Sequence, residues 1–169
     1  MKNLFINLTI TTVLVTSILP LVLQTTVKAK DTDVECKKAV ANATSRLQKI
    51  PNVLIYQAYT KNLNEYYSDF PQGRPIEYVF YLTGLERKGR AVETGIKKVE
   101  NSEQLMKNIS QHIIFKCNSV GAVAFTSTIA ATCSIGFGLM RDNKVQLFDV
   151  VMIDPNEDTS LKWGQTFCW

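Results

Sequence analysis

Apolar residues recur at helical spacing in two segments of the chain. The first segment predicts a helix over 34–50, and Pro51 ends it because a proline pushes the preceding residue out of the helical region. Its apolar stripe consists of Cys36, Val40, Ala43, Leu47 and Ile50. The second segment predicts a helix that Asn101 caps, with Gln104 three residues further on. Its stripe consists of Leu105, Met106, Ile109, Ile113 and Cys117.

The remaining apolar runs are typical of strands. Residues 60–75 are rich in Asn, Tyr, Ser, Asp and Pro and predict a long loop, and residues 85–90 predict a basic turn. Strands are expected over 53–59, 76–83, 91–99, 120–126, 133–140, 144–153 and 163–169. The fold class that follows is α+β, with two helices packed on one face of a mainly antiparallel sheet.

A hairpin turn at Asp142-Asn143 sets the register of the two strands beside it. If Arg141 pairs with Lys144, Phe137 faces Phe148 and Ile135 faces Val150. The predicted core face then carries Cys133, Ile135, Phe137, Leu139, Phe148, Val150 and Met152. The opposite face carries Gly136 and Gly138, which we expect to make room for the ring of Trp163 or Trp169 rather than for a ligand.

The amino-terminal segment is typical of a signal peptide. Residues 4–23 contain no charge, and Val27-Lys28-Ala29 fits the pattern that signal peptidase cuts. The prediction is a signal peptide over 1–29 and a single domain over 30–169. The alternative is an uncleaved anchor, because 20 uncharged residues just span a bilayer of ~30 Å.

The charge of the predicted mature chain is small. Of the 19 basic residues, Lys2 and Lys28 lie in the signal segment, so 17 remain against 15 acidic residues and the net charge is +2. So small a charge does not favour nucleic acid or an anionic bilayer as a partner. We expect no nucleic-acid partner, and no membrane contact after signal cleavage.

Four cysteines lie in the predicted mature chain. An even number after a signal peptide predicts two disulfides in an oxidising compartment, the periplasm or the extracellular space. No CxxC or CxH pair is present, so neither a metal nor a cofactor is expected. Three connectivities are open. The hairpin register favours Cys117–Cys168 and Cys36–Cys133, because an antiparallel last strand would end near Asp142, beside Cys117.

The carboxy-terminal third carries a recognisable pattern. It comprises Phe137-Gly138-Leu139-Met140, then Asp142, Val145 and Phe148, then Trp163-Gly164-Gln165-Thr166-Phe167-Cys168. This pattern resembles that of small exported proteins of cyanobacteria, most firmly from Ile109 onward. The resemblance implies a source and a compartment but no chemistry. Those proteins tend to carry a cysteine on the strand that here holds Asp149 and Val150, and Cys133 is the candidate to replace it.

Aromatic residues cluster around the long loop. Tyr59, Tyr66, Tyr67 and Phe70 are the candidate ligand-binding residues, since exposed rings suit recognition of sugars or proteins. The alternative is that these rings pack under the loop as a small satellite core.

Other candidate sites have simpler interpretations. His112 is the one histidine and has no partner motif, so a structural role is expected. Residues 154–158 begin like a calcium loop, but Thr159 and Gln165 replace the required Gly and Glu. A solvated loop is therefore expected there, and likewise at Arg87, Lys88 and Arg90.

Three functions are compatible with these patterns. The first is a non-catalytic exported binding or structural module with a protein, glycan or envelope component as partner. The second is an exported hydrolase that uses carboxylates such as Glu77, Glu86, Glu93 or Asp149. The third is a signal-anchored membrane protein.

Overall fold

A computed structural model describes residues 25–84, 90–128, 133–152 and 161–168. Most of the predicted signal peptide, residues 85–89 of the basic turn predicted over 85–90, and the calcium-like segment at 154–158 lie outside these residues. Within the described residues the helices are α1 (Thr25–Gln48), α2 (Arg90–Glu100) and α3 (Glu103–Lys116). The strands are β1 (Leu54–Asn62), β2 (Ile76–Thr83), β3 (Val120–Ser127), β4 (Ile135–Leu139), β5 (Val145–Leu147), β6 (Asp149–Met152) and β7 (Gln165–Cys168).

The predicted α+β class is confirmed. Strands β1 to β5 form one sheet in that order, in which β2 and β3 are parallel and the other pairs antiparallel. Strands β6 and β7 form a separate parallel pair. Among the described residues, no helix is both long enough and apolar enough to cross a membrane.

The main core lies between the helices and one face of the five-stranded sheet. Both predicted helical stripes are confirmed, since Leu47, Ile109 and Ile113 are fully buried. Phe80 stacks on Phe125 with ring centroids 5.6 Å apart. Each such side chain contributes about 1.5–3 kcal/mol by leaving water, so this cluster is the main source of stability. Helix α1 begins at Thr25, earlier than the predicted start at Val34.

The predicted strand over 91–99 is wrong, because this segment forms α2. Ile96 and Val99 are fully buried at helical spacing. The parallel pairing of β2 and β3 requires a crossover connection, which α2 and α3 supply. The prediction of two helices therefore missed a third one.

The predicted hairpin register is wrong by one residue. Phe137 pairs with Leu147 and not with Phe148. The connection is a three-residue loop in which Asn143 has a φ of 59°, as in hairpins that close with a left-handed residue. A shift of one residue exchanges the two faces of a strand. Phe148 consequently lies outside the main core cluster. Val150 lies on β6, in the separate strand pair, and is 58% exposed.

The predicted disulfide pairing is also wrong. The bonds are Cys36–Cys117 and Cys133–Cys168. Since β7 runs parallel to β6, its end at Cys168 lies beside Met152 and Cys133, away from the hairpin turn. Packing of α1 against α3 places Cys36 next to Cys117. The first bond joins the two helices and the second fixes the end of β7.

A groove beside Trp163

A second apolar cluster lies outside the main core. Its buried members are Leu63, Tyr67, Ala122, Phe148 and Leu161, and Phe70, Met140, Val151 and Trp163 pack against it. These residues come from the loop after β1, from β3 and from the segments around β6 and β7. The cluster brings together parts of the chain that are almost 100 positions apart, as the hydrogen bond between Tyr67 and Gln165 shows.

Trp163 is held from several directions at the edge of this cluster. Its indole Nε1–H donates to the carbonyl oxygen of Leu139 at 2.9 Å. Its ring meets Tyr67 and Phe148 edge to face, with centroid distances of 5.3 and 5.0 Å. Edge-to-face pairs add about 0.5–1.5 kcal/mol beyond burial. The indole is therefore fixed in orientation while remaining partly exposed.

The expectation that glycines on β4 make room for a ring is confirmed for Gly138. A Cβ at Gly138 would overlap the ring of Phe148 and lie 2.8 Å from Cζ2 of Trp163. At Gly136 a Cβ would lie 3.0 Å from Phe148. The two glycines thus let both rings lie directly on the strand, and Trp169 lies outside the described residues.

The loop between β1 and β2 is tied to the Trp163 segment at two points. The Tyr67 hydroxyl donates to the carbonyl oxygen of Gln165 at 2.7 Å. The main-chain N–H of Trp163 donates to Oδ1 of Asp69 at 2.8 Å. Burial raises the pKa of Tyr67, and the charge of Glu77 adds to that shift, so the phenol stays protonated and remains a donor.

Arg74 anchors the other end of the same loop. Its Nη1 donates to the carbonyl oxygens of Ile114, Cys117 and Val120 at 2.7, 3.3 and 2.9 Å. These oxygens lie at the end of α3 and the start of β3, where a cation also complements the helix dipole. Arg74 therefore fixes the loop to the body of the sheet.

A groove of about 550 Å³ runs between this loop and the β4–β5 hairpin. We call it the Trp163 groove. It is lined by Asp69, Phe70, Pro71, Gln72, Arg74, Leu139, Met140, Arg141, Asn143 and Trp163. The volume lies within the range of about 300–1,000 Å³ that is usual for small-molecule sites, and the lining mixes apolar surface with a few polar groups.

Several polar groups of the groove have unused hydrogen-bonding capacity. Among the described residues, nothing accepts from Nε or Nη2 of Arg74, and nothing pairs with the exposed guanidinium of Arg141. Oδ2 of Asp69 likewise has no donor there. The side chains of Gln72 and Asn143 are exposed at the rim. The groove thus offers both donors and acceptors together with the aromatic surface of Trp163.

The four aromatic residues singled out by the sequence do not form one site. Tyr67 and Phe70 lie together in the second cluster, and Phe70 also lines the groove. Tyr66 is exposed, with the Lys61 ammonium 5.5 Å from its ring centroid. Tyr59 is half-buried on β1, paired with Val79 of β2. Only part of the set therefore belongs to a concave surface.

Most of the groove residues were not predicted from the sequence. Asp69, Arg74, Arg141 and Trp163 are far apart along the chain, and no motif connects them. The available signal was the glycine pair on β4, which required a ring to cover it. That signal indicated Trp163 without indicating what would lie opposite it.

The carboxylates considered for a hydrolase are not gathered at one place. Glu77 lies on β2, in register with Lys61, and burial raises its pKa while the charge of Lys61 partly lowers it. Glu93 lies on α2 in an ion pair with Lys97. Asp149 is exposed on β6, and Glu86 lies outside the described residues.

Other candidate residues lie elsewhere. His112 is exposed on α3. Within the described residues, no group of three His, Cys, Asp or Glu side chains could hold a metal ion. A second groove of about 580 Å³ lies between α3 and β5, is mostly polar, and contains Glu103 as a carboxylate. It lacks an aromatic lining residue, which distinguishes it from the Trp163 groove.

Comparison with known proteins adds no further constraint. No family model, curated protein or solved structure matches this chain.

Proposed function

We propose that this protein is an exported, non-catalytic binding module, and that it binds a glycan of the cell envelope or extracellular space in the Trp163 groove. The proposal is based mainly on the fixed, partly exposed indole of Trp163, which lines a groove together with polar side chains. A sugar ring has an apolar face that packs on an aromatic ring and hydroxyls that need donors and acceptors around it.

The rigidity of Trp163 supports binding over a purely structural role for the groove. Its Nε1–H and its main-chain N–H are both engaged in hydrogen bonds, and its ring packs against the rings of Tyr67 and Phe148. Because the Trp163 side chain is already held in place, it loses little conformational entropy when a ligand binds. The ligand would meet a preformed surface, with Met140 and Phe70 extending its apolar part.

A binding role is favoured over hydrolysis by the carboxylates. Glycosidic hydrolysis commonly requires two carboxyl groups, about 5–9.5 Å apart, on either side of the scissile bond. Among the described residues that line the groove, Asp69 is the one carboxylate, and its Oδ1 accepts a hydrogen bond from Trp163. This arrangement suits recognition of a hydroxyl.

Export is supported by the two disulfides and by the signal-like start of the sequence. Amino-terminal sequencing of the protein from its native source tests this part of the proposal. We expect the mature chain to begin at Lys30. An intact Met1 end would instead favour the signal-anchored alternative.

Glycan binding is tested by tryptophan fluorescence. The chain has two tryptophans, so Trp169→Phe leaves Trp163 as the single reporter. The probes are N,N′-diacetylchitobiose (called chitobiose below), which is neutral, and the disaccharide of N-acetylglucosamine and N-acetylmuramic acid, which is acidic. We expect a saturable change in emission with at least one of them.

Two groove variants and one control complete the test. Phe70→Ala removes apolar lining, and Asn143→Gly removes a rim side chain while keeping the positive φ accessible. Each should weaken binding at least threefold, whereas Tyr56→Ala, on the exposed face of β1, should not change it. The proposal is overturned if neither disaccharide binds, or if binding is the same in both groove variants as in the control.

A further inference from the structure

We infer that the glycan carries a single carboxylate, which binds to Arg141 and to the Nε–Nη2 edge of Arg74. This inference rests on the proposed function and specifies its ligand. The evidence for it is that two guanidinium groups, those of Arg74 and Arg141, line the same groove as the carboxylate of Asp69.

The guanidinium of Arg74 is held in place by hydrogen bonds from one of its nitrogens, Nη1. Three carbonyl oxygens engage Nη1 and so fix the plane of the guanidinium. Nε and Nη2 have no acceptor among the described residues. That edge is one of the two faces with which arginine binds a carboxylate through paired hydrogen bonds. Burial also lowers the pKa of Arg74, and an anion would compensate for this desolvation.

Arg141 supplies a second cation from the opposite wall. It follows β4 at the start of the hairpin loop and is exposed. Its neighbour Asp142 pairs with Lys144 at 3.3 Å and also accepts from the main-chain N–H of Lys144 at 3.1 Å. The carboxylate of Asp142 therefore interacts with Lys144 rather than with Arg141. Within the described part of the chain, Arg141 has no ion pair.

Asp69 limits the charge that the groove accepts. Two guanidinium groups and one carboxylate leave one positive charge in excess, which matches a monoanion. Oδ1 of Asp69 is engaged by Trp163, so Oδ2 is the acceptor that remains for a sugar hydroxyl. A ligand with several carboxylates would meet repulsion at Asp69.

The test compares the same two disaccharides, because they differ only in the lactyl ether that bears the carboxylate. In the Trp169→Phe protein we expect the acidic disaccharide to bind at least fivefold more tightly than chitobiose at low salt. The preference should shrink as ionic strength rises. In Arg141→Gln the ratio of the two dissociation constants should fall below two.

Two further variants secure the assignment. Arg74→Lys keeps the positive charge but removes the Nε–Nη2 edge, and it should reduce the preference at least threefold. Lys49→Gln removes an exposed cation next to the end of α1 and should leave the preference intact. If both arginine variants keep the wild-type ratio, the two arginines are not the carboxylate site.

The outcomes separate the inference from the proposed function. Equal affinity for both disaccharides overturns the inference and leaves glycan binding standing. If neither disaccharide binds, both the inference and the proposed function are overturned. An acidic tetrapeptide with one glutamate that binds as tightly as the acidic disaccharide overturns the glycan class. A clear preference for the acidic disaccharide that requires Arg141 supports the inference.

Discussion

The hydroxyl of Tyr67 donates a hydrogen bond of 2.7 Å to the carbonyl oxygen of Gln165, a residue 98 positions further along the chain. Tyr67 lies in the loop after β1, and Gln165 begins β7. The contact holds the loop that forms one wall of the Trp163 groove against the strand that follows Trp163. The loop wall of the groove therefore depends on a contact that neither segment makes alone.

Removal of this hydroxyl should destabilise the protein. Tyr67→Phe keeps the ring contacts with Phe148 and Trp163 but leaves the Gln165 carbonyl without its donor. We expect a loss of about 1–2 kcal/mol in the free energy of unfolding, the usual penalty for an unsatisfied, partly buried acceptor. Urea unfolding measures it.

The matched control is Tyr66→Phe, the same change on the exposed neighbouring tyrosine. It should alter the free energy of unfolding by less than about 0.5 kcal/mol. Equal effects of the two changes would show that the Tyr67 bond contributes nothing specific.

Gly138 should tolerate a side chain less well than Gly136. Gly138→Ala places a methyl group against Phe148 and Trp163, whereas at Gly136 the nearest atom belongs to Phe148 alone and is 3.0 Å away. Overpacking of this kind costs about 1–3 kcal/mol, and we expect the loss to be larger at Gly138. Thermal unfolding of the two variants makes the comparison.

Gly138→Ala should also change the fluorescence of the protein, because the added methyl group displaces the rings of Phe148 and Trp163. In the Trp169→Phe background, the emission of Trp163 should move to longer wavelength as the indole leaves its place. An unchanged spectrum together with unchanged stability would mean that the rings do not lie against β4 as described.

Glu77 should make the protein less stable as pH rises. Burial raises its pKa above the ordinary value of 4.5, so the folded state holds this proton more tightly than the unfolded chain does. The favourable contribution is complete below pH 4.5 and is lost as pH rises through the folded-state pKa. Glu77→Gln does not titrate, and its stability relative to wild type should therefore increase across that window.

The comparison must be made as variant minus wild type, since other groups titrate in the opposite sense. A hydrogen bond from Lys116 lowers the pKa of Glu35, and the main-chain N–H of Lys144 lowers that of Asp142. Their contributions cancel in the difference. Glu65→Gln, at an exposed position, is the control. A difference between Glu77→Gln and wild type that stays flat from pH 4 to 8 would contradict the assignment.

The two disulfides should differ in what they stabilise. They close segments with sequence separations of 81 and 35 residues, for which chain entropy predicts about 4.5 and about 4 kcal/mol. Cys133→Ser with Cys168→Ser should additionally loosen β7 and shift the emission of Trp163 to longer wavelength. Cys36→Ser with Cys117→Ser should reduce stability and leave that emission nearer to wild type.

Peptide mapping without reduction checks the connectivity itself. Linked peptides should contain Cys36 with Cys117 and Cys133 with Cys168. Recovery of Cys117 linked to Cys168, or of four free thiols in protein from its native compartment, would contradict the structure.

Local sequence patterns determined much of the secondary structure. The stripe from Cys36 to Leu47 was enough to place α1 in the core, and the run at 76–83 coincides with β2. Helical spacing of Val92, Ile96 and Val99 was also present, so α2 could have been predicted. These features depend on neighbours within a few residues, which is the range over which periodicity is informative.

The tertiary structure decided the rest. A slip of one residue between β4 and β5 moved Phe148 to the other sheet face, and the parallel direction of β7 exchanged the disulfide partners of Cys117 and Cys133. Strand direction and register follow from packing between distant segments, which local spacing does not encode. For the same reason only the folded chain brings Asp69, Arg74 and Arg141 around Trp163.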